Sequence, residues 1–483
     1  MKFSEIMRGI DYEIVQHGDA EEITEICIDS RKAKAGSLFV CLRGLTVDGH
    51  KYINEVAGKN AAAVLIDSDQ ESYPAGLTVW KVNDARRSLS AVSANFYNRP
   101  AEKLRLIGVT GTNGKTSTTY IMDSVLRQAG KPGLIGTVGI LLGGQKIDIP
   151  FATSTTPDPP ELQQIFDHML KEGAKDVMME VSSHSLALHK MEGLHFEAAI
   201  FTNLTQDHLD FHGTMENYLT AKAKLFGQCR FGIVNADDKY SPQIMSIGKN
   251  CEKWISYGID NDCDLRAVHI TDGAFDVEID GVLEKFELPV KGRFNIYNAL
   301  GVIGAALAIG INVEQIKKGL AAFKGVPGRI QSVDNDKGFN VLVDYAHSPD
   351  GLINIINAVR AFTEGRLITL FGCGGDKDTG KRPIMGRIAG ELSDHCIVTS
   401  DNPRTESPAE IIRQIEEGIK DTNCPYDSMV DRREAIFHGI KMLKPGDALI
   451  IAGKGHETYQ IIGDQEIHFD DIEVAREGLA NCN

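Results

Sequence analysis

Basic residues are in short supply. Fifty-one lysines and arginines stand against 67 acids, leaving the 483-residue chain with a formal net charge of −16. Nucleic acid and anionic membrane both call for basic surface, so neither is expected as the main partner. Long apolar runs are missing too: none approaches the roughly 20 residues that cross a bilayer, and no membrane insertion is expected. The opening Met1-Lys2-Phe3-Ser4-Glu5 lacks the apolar stretch of a secretory signal, and acids follow quickly. The nine cysteines are odd in number and scattered, without the paired spacing of a zinc site or a disulfide framework. A reducing cytoplasm is the expected location. Internal repeats and low-complexity tracts are also absent.

What is present is length and alternation. A chain of 483 residues exceeds what one hydrophobic core usually serves. Residues 1–100 carry short strand-like runs at 37–42, 62–66 and 78–82, and end at Asn98-Arg99-Pro100, a linker signal. From residue 104 the pattern becomes strand, loop, helix, with buried strands at 104–109, 176–181, 198–202 and 231–235. Such alternation implies a doubly wound, mostly parallel sheet with ligands at the carboxyl ends of its strands. A more polar stretch, 250–292, alternates like antiparallel strands. A long Ala/Gly/Ile helix at 298–309 and a hinge-like Lys324-Gly-Val-Pro-Gly-Arg329 follow. Four more strands, at 340–344, 367–371, 396–400 and 448–452, complete a Rossmann-like αβ unit. The expected fold class is α/β with three domains, 1–100, 101–328 and 329–483, the first being the smaller. A monomer is the default.

The densest chemistry lies at 108–117, Gly-Val-Thr-Gly-Thr-Asn-Gly-Lys-Thr-Ser, between a strand and a helix-like segment at 118–129. Glycines let backbone N–H groups close around phosphate oxygens, and the helix start adds the positive end of its dipole. Gly111, Thr112, Asn113, Gly114, Lys115, Thr116 and Ser117 thus form a candidate nucleoside triphosphate cradle, with Lys115 for the terminal phosphates and the Thr116 hydroxyl for magnesium. The strict P-loop spacing would put glycine at 109, which is valine, so the loop is a variant. Glu180, closing a strand, is a sensible second oxygen ligand. His208, in Asp207-His208-Leu-Asp210, reads on pattern alone as either a turn cap or a ligand. The segment 218–226 reads as an amphipathic helix with two solvated lysines, Lys222 and Lys224.

Taken together, these motifs resemble a known family. Gly-Thr-Asn-Gly-Lys-Thr at 111–116, Glu180-Val-Ser-Ser-His184, Asp207-His208-Leu-Asp210, Ala221-Lys222-x-x-Leu-Phe226, Gly292-Arg-Phe-Asn295-x-x-Asn298-Ala and Asp344-Tyr-Ala-His347-x-Pro-Asp350 run in order over most of the chain. They resemble the Mur ligases, which add amino acids to the cytoplasmic UDP-muramoyl precursor of peptidoglycan. The resemblance implies ATP as substrate, two magnesium ions, and a carbon dioxide-derived carbamate on Lys222. It implies catalytic roles for Lys115, Lys222, His208 and Glu180, and a metal set of Thr116, Glu180, His208 and carbamylated Lys222. Asn298 and Asp344 would contact adenosine; Arg329 and Arg382 would contact phosphate or ribose.

The resemblance is strongest to the members that add the third residue of the peptide. There, Ile28 and Ser30, in Asp29-Ser30-Arg31, would hold the UDP sugar. Ser154, Thr155, Thr156, Ser182 and Lys190 would grip the muramoyl dipeptide; Lys190 keeps the charge of the more usual arginine without its planar fork. Asp401-Asn402-Pro403-Arg404, Lys377 (more often arginine), Gly453 and Glu457 would hold meso-diaminopimelate. Arg404 can clamp its distal carboxylate with two parallel N–H bonds, and Glu457 can take its distal ammonium. The implied reaction is amide formation through an acyl phosphate. The alternatives are the same ligase acting on lysine or another diamino acid, a folylpolyglutamate synthetase-like ligase, and a nucleotide-gated switch.

Overall fold

Three mostly parallel sheets, each built by consecutive chain, carry the molecule in the computed structural model, which describes residues 1–481 except 45–46, 150, 152, 154, 250, 272 and 291. The first has five strands in the order Glu13–Gln16, Thr78–Lys81, Ala63–Ile66, Ser37–Val40, Glu25–Cys27, antiparallel only at Glu13–Gln16. Its central strands Ser37–Val40 and Ala63–Ile66 are buried throughout, which is why they appear in the sequence as continuous apolar runs.

The second sheet has eleven strands. Arg105–Thr110 lies inside it, with Phe196–Phe201 on one side and Asp176–Glu180 on the other, all parallel. Here the strand order reverses, so chain leaving the three carboxyl ends diverges and opens a crevice above them. The segment 250–292 departs from the antiparallel expectation. Lys253–Gly258 runs parallel to Cys229–Asn235, and Leu265–Thr271 parallel to it in turn; only Leu265–Thr271, Ala274–Ile279 and Val282–Glu287 form an antiparallel meander. The Asp237 carboxylate is the physical reason. It accepts the N–H groups of Ile259, Asp260 and Asn261 at 2.7, 3.0 and 2.7 Å, and so turns the chain away from a hairpin.

Lys115–Leu126 and Arg293–Ala308 pack face to face above this sheet. Arg293–Ala308 is apolar over most of its surface, and Ile121, Met122, Val125 and Leu126 of the shorter helix join it in one core cluster with Ile107, Val109, Ile200 and Ile233. The long helix starts at Arg293, five residues ahead of the sequence expectation, so that Asn295 and Asn298 sit in its first turns and are buried.

The third sheet runs Gln331–Ser332, Asn340–Asp344, Ala448–Ala452, Leu367–Phe371, His395–Thr399, Tyr426–Met429, antiparallel only at its first pair. A separate hairpin, Tyr459–Ile462 with Gln465–His468, stands outside it. The carboxyl ends of the third sheet face the crevice of the second: Lys381 and His347 lie within electrostatic reach of Asp207, and His456 within reach of Thr137 and Lys146. Among the described residues no helix is long and apolar enough to cross a membrane.

Candidate active site

The glycine loop at 111–114 is held from beneath by the next strand connection. Asn203 accepts the N–H of Asn113 at 2.9 Å through Oδ1, while the Thr202 hydroxyl donates to the Asn113 carbonyl at 2.6 Å. Neither residue stood out in the sequence; their position one turn past a parallel strand was the available signal. Gly114 adopts φ +86°, and a Cβ there would lie 2.5 Å from Asn298 Oδ1. A Cβ on Gly111 would collide with the Thr202 hydroxyl. The loop therefore needs both glycines to reach the helix Lys115–Leu126, whose first turn buries Thr116.

Two lysines converge on one carbonyl of that loop. Lys115 Nζ donates to Gly111 O at 3.0 Å and Thr112 O at 2.9 Å, and Lys222 Nζ donates to the same Gly111 O at 2.7 Å. Lys222 is thus not the solvated lysine its helix pattern suggests. It is 1% exposed, with Nζ 4.4 Å from the centre of the Tyr218 ring, because Met215–Ala223 turns its Tyr218–Lys222 face into the crevice. Burial, with the Lys115 charge beside it, drives the Lys222 amine well below the ordinary lysine range. Burial lowers Lys115 as well.

Glu180 lies buried on the other flank. Both its oxygens meet Thr137: the backbone N–H at 2.8 Å and the hydroxyl at 3.1 Å. Thr137 also meets the Thr155 hydroxyl at 3.1 Å, and Thr156 donates to the Glu180 carbonyl at 3.0 Å while accepting the Ser182 N–H at 3.2 Å. The structure thus brings Thr155, Thr156 and Ser182 close to Glu180. Thr137 ties Glu180 to Thr155 and was missed, because a lone threonine in a turn carries no signal. Ser154 lies outside the described residues. Lys190 pairs with Asp158 at 2.7 Å, at the start of the helix Pro159–Lys171 and two residues past Thr156. In the first sheet Ile28 packs on the core margin, and the carbonyl of buried Ser30 takes Lys59 Nζ at 2.8 Å.

His208 adopts φ +55°, with its ring 3.4 Å from Asp207 and 4.8 Å, centre to centre, from His184. Burial keeps the His208 imidazole neutral. Burial alone would raise Asp207, but the Lys381 charge and the His208 backbone N–H, 2.9 Å from Oδ1, hold it below the usual carboxylate range.

In the third sheet Asp344 is buried; its two oxygens accept the N–H groups of Ile330 at 2.7 Å and Ala346 at 2.8 Å. Arg329 stacks 4.7 Å over Tyr345. Arg382 is a correction. Its side chain has no exposed surface and bonds Glu406 through both Nη atoms (2.8 and 2.9 Å), Gln414 at 2.8 Å and the Gly374 carbonyl at 3.1 Å. A guanidinium sealed under these partners braces the loops at 374 and 406 and has no face left for a nucleotide.

The braced loops bring the residues expected at the amino acid site together. Arg404, at φ +51°, donates through Nη1 to Gly375 O (3.0 Å) and Asn402 O (3.3 Å). Asn402 Nδ2 donates to Glu457 Oε2 at 2.9 Å, so one asparagine links the two residues expected to read a distal amino acid group. Asp401 accepts the Asn402 N–H at 2.6 Å, and Gly453, at φ +117°, packs against its carboxylate. Lys377 and Arg404 flank Gly374, while Pro403 closes on Gly375. The outer hairpin clamps this loop: Arg404 N–H donates to Ile461 O at 3.1 Å and Gly463 N–H to Arg404 O at 2.7 Å. Burial raises the Glu457 carboxyl, with Lys454 opposing.

Comparison with known proteins bears on this arrangement. Residues 109–306 match the Mur ligase middle domain, 328–455 the Mur ligase glutamate ligase domain, and 22–97 the Mur ligase family catalytic domain. A UDP-N-acetylmuramoyl-L-alanyl-D-glutamate–2,6-diaminopimelate ligase of Caldanaerobacter subterraneus subsp. tengcongensis is 45% identical over 486 residues, covering 99% of both chains. The chain belongs to the Mur ligase family. A solved structure of a ligase of that same description superimposes with a TM-score of 0.68 at 31% identity, covering 99% of each chain. A Mycobacterium tuberculosis folylpolyglutamate synthase complexed with ADP shares the fold at 16% identity, TM-score 0.63, covering 76% of this chain and 91% of that one.

Beneath the pocket of this Mur ligase lies one fully buried ion pair. Arg432 and Asp471, the first residues of Arg432–Met442 and Asp471–Ala480, meet at 2.8 and 2.7 Å with no exposed side-chain surface. The same guanidinium donates to Ser400 O (3.3 Å) and Ala452 O (3.0 Å), the residues just before Asp401 and Gly453. Arg432→Ala leaves a buried carboxylate and two carbonyls unmatched, and is expected to lower stability by about 3–5 kcal/mol in urea unfolding. Arg432→Met with Asp471→Leu should recover most of that loss; a single-variant loss below about 1 kcal/mol would contradict the assignment.

Proposed function

We propose that this Mur ligase uses ATP to join meso-2,6-diaminopimelate to UDP-N-acetylmuramoyl-L-alanyl-D-glutamate, in the synthesis of the cytoplasmic peptidoglycan precursor. One observation carries the choice of amino acid. Asn402 fixes Arg404 and Glu457 side by side, a cation for a distal carboxylate and an anion for a distal ammonium. The near-complete coverage of the 2,6-diaminopimelate ligases supports the same choice.

The chain's own groups suit each stage. N–H groups at 111–117 and the helix start at Lys115 receive the nucleotide phosphates, with Asn298 beside the loop and Arg329 and Asp344 across the crevice for the rest of the nucleotide. Thr155, Thr156 and Ser182 present the muramoyl dipeptide carboxylate beside Glu180; Ile28, Ser30 and Lys190 belong to the same substrate. That carboxylate oxygen attacks the γ-phosphorus and ADP leaves, giving an acyl phosphate. The amine of diaminopimelate then attacks the acyl carbon and phosphate leaves. His208 and His347 are the imidazoles nearest the crevice and the candidates to accept the amine proton. The third sheet covers the crevice through His347, Lys381 and His456 and keeps water from the acyl phosphate, with 327–328 as its hinge.

Thr116, Glu180 and His208 supply oxygen and imidazole donors around the loop, a set that fits magnesium shared with phosphate. Two such ions would neutralise the charge that builds up on the phosphoryl group during transfer. Lys222 fits the carbamate. A buried amine driven toward its neutral form is the nucleophile that carbon dioxide needs: the nitrogen lone pair forms an N–C bond as one C=O π bond opens onto oxygen, one proton leaves the nitrogen to solvent, and the neutral amine becomes an anionic oxygen ligand. The change also ends the like-charge crowding of Lys222 and Lys115 on Gly111 O.

Phosphate release measured with ATP, magnesium and the UDP-muramoyl dipeptide should depend on meso-diaminopimelate. Release independent of it, or faster with lysine, would overturn the assignment. Arg404→Ala should raise KM for diaminopimelate about 30-fold or more, as expected on breaking a hydrogen-bonded charge pair, and leave KM for ATP unchanged. Lys222→Ala should abolish turnover, with partial return on adding a small carboxylate; full activity in the unsupplemented variant would exclude the carbamate role.

A further inference from the structure

Lys454 lies in the middle of Gly453-Lys-Gly455-His-Glu457, and the reaction as described gives it no task. Its side chain has no exposed surface. Nζ donates to Glu457 Oε2 and to Asn402 Oδ1, each at 3.2 Å, and stands 5.4 Å from the Tyr459 ring centre. A lysine sealed in protein retains its charge only where carboxylate and amide partners replace water. Here those partners are the two residues that form the ammonium side of the amino acid pocket.

The two oxygens of Glu457 are therefore unequal. Oε2 is taken by Lys454 and by Asn402 Nδ2, at 3.2 and 2.9 Å. Oε1 meets the Tyr345 hydroxyl at 3.4 Å, leaving it as the oxygen for an incoming ammonium. Within the hydrogen-bonded group that Asn402 joins, the charges cancel. Arg404 and Lys454 are cationic and Glu457 and Asp401 anionic, while the Arg432–Asp471 pair behind them is internally neutral. Lys377 is exposed to solvent, where its charge is screened. A distal group bearing ammonium and carboxylate together leaves that balance at zero. A lone ammonium adds one uncompensated positive charge next to Arg404 and Lys454.

We propose that Lys454 is a specificity-determining residue, which by occupying Glu457 Oε2 balances the pocket so that a distal zwitterion is accepted and a lone distal ammonium is rejected. This rests on the reading that the ligase binds its diamino acid between Arg404 and Glu457. Lys454 does not touch the amino acid; it sets how much attraction Glu457 has left for an ammonium. Arg404 attracts the carboxylate, and Lys454 withholds the reward that lysine would otherwise draw from Glu457.

The test compares kcat/KM for meso-diaminopimelate and for L-lysine, by phosphate release, in the parent ligase, Lys454→Met and Lys454→Gln. Both variants remove the charge, and glutamine keeps polar contacts to Asn402 and Glu457 should methionine fail to fold. The expected result is a shift of the diaminopimelate-to-lysine ratio toward lysine by at least tenfold, with KM for ATP unchanged. A structural role alone would lower both kcat/KM values by the same factor, and an unchanged ratio in folded Lys454→Gln overturns the proposal. The parent supplies a second check: L-lysine should serve no better than L-norleucine, which has no distal charge. A tenfold preference for lysine over norleucine contradicts the charge balance. Absence of diaminopimelate-dependent release in the parent would instead overturn the underlying choice of substrate.

Discussion

One backbone carbonyl, that of Gly111, accepts hydrogen bonds from Lys115 and Lys222 at once, at 3.0 and 2.7 Å. Two buried amines on one oxygen are tolerable only if their combined charge is reduced, and the crevice offers ways to reduce it. Burial favours the neutral amine at Lys222, carbon dioxide can make it anionic, and nucleotide phosphates can engage Lys115. The geometry that creates this crowding comes from the fold. The loop strand Arg105–Thr110 lies where strand order reverses, so Glu180 and the 202–208 segment emerge on its two flanks and the helix Met215–Ala223 returns its lysine to the same point.

The third sheet repeats the theme with a different outcome. Its buried charges are matched before any substrate arrives: Arg432 with Asp471, Arg382 with Glu406, Lys454 with Glu457. The first two fix the loops and the third adjusts what the pocket attracts. On the proposed reading, charge in the crevice is left unbalanced for phosphate and metal to complete, while around Arg404 and Glu457 it is balanced so that a neutral distal group fits. That contrast suits a ligase that draws its driving force from a nucleotide and its selectivity from an amino acid.

Much of this was legible in the sequence, because parallel strands buried on both faces leave apolar runs that end where function begins. The strands Asn340–Asp344, Leu367–Phe371 and Ala448–Ala452 match the expected bounds, and the glycine loop and the Asp401–Arg404 turn fall at strand ends as anticipated. What escaped was whatever depends on partners distant in sequence. Lys222 looked solvated, because helical spacing does not show that Tyr218 and Gly111 stand over it. Arg382 looked available, because nothing near it in the chain announces Glu406 and Gln414. Thr137 and Asn203 carry no pattern at all; only the folded crevice shows them holding Glu180 and Asn113. The 250–292 segment was partly legible: 265–287 forms the antiparallel meander expected, but Lys253–Gly258 pairs in parallel, because alternation reports one exposed face and not strand direction.

The most direct measurement is a crystal structure of the ligase with meso-diaminopimelate bound. The account predicts the distal carboxylate in two-point contact with the Arg404 guanidinium, the distal ammonium on Glu457 Oε1, and Lys454 still paired with Oε2. A distal ammonium bound to Glu457 Oε2 with Lys454 displaced, or a distal end placed away from Arg404, would contradict it.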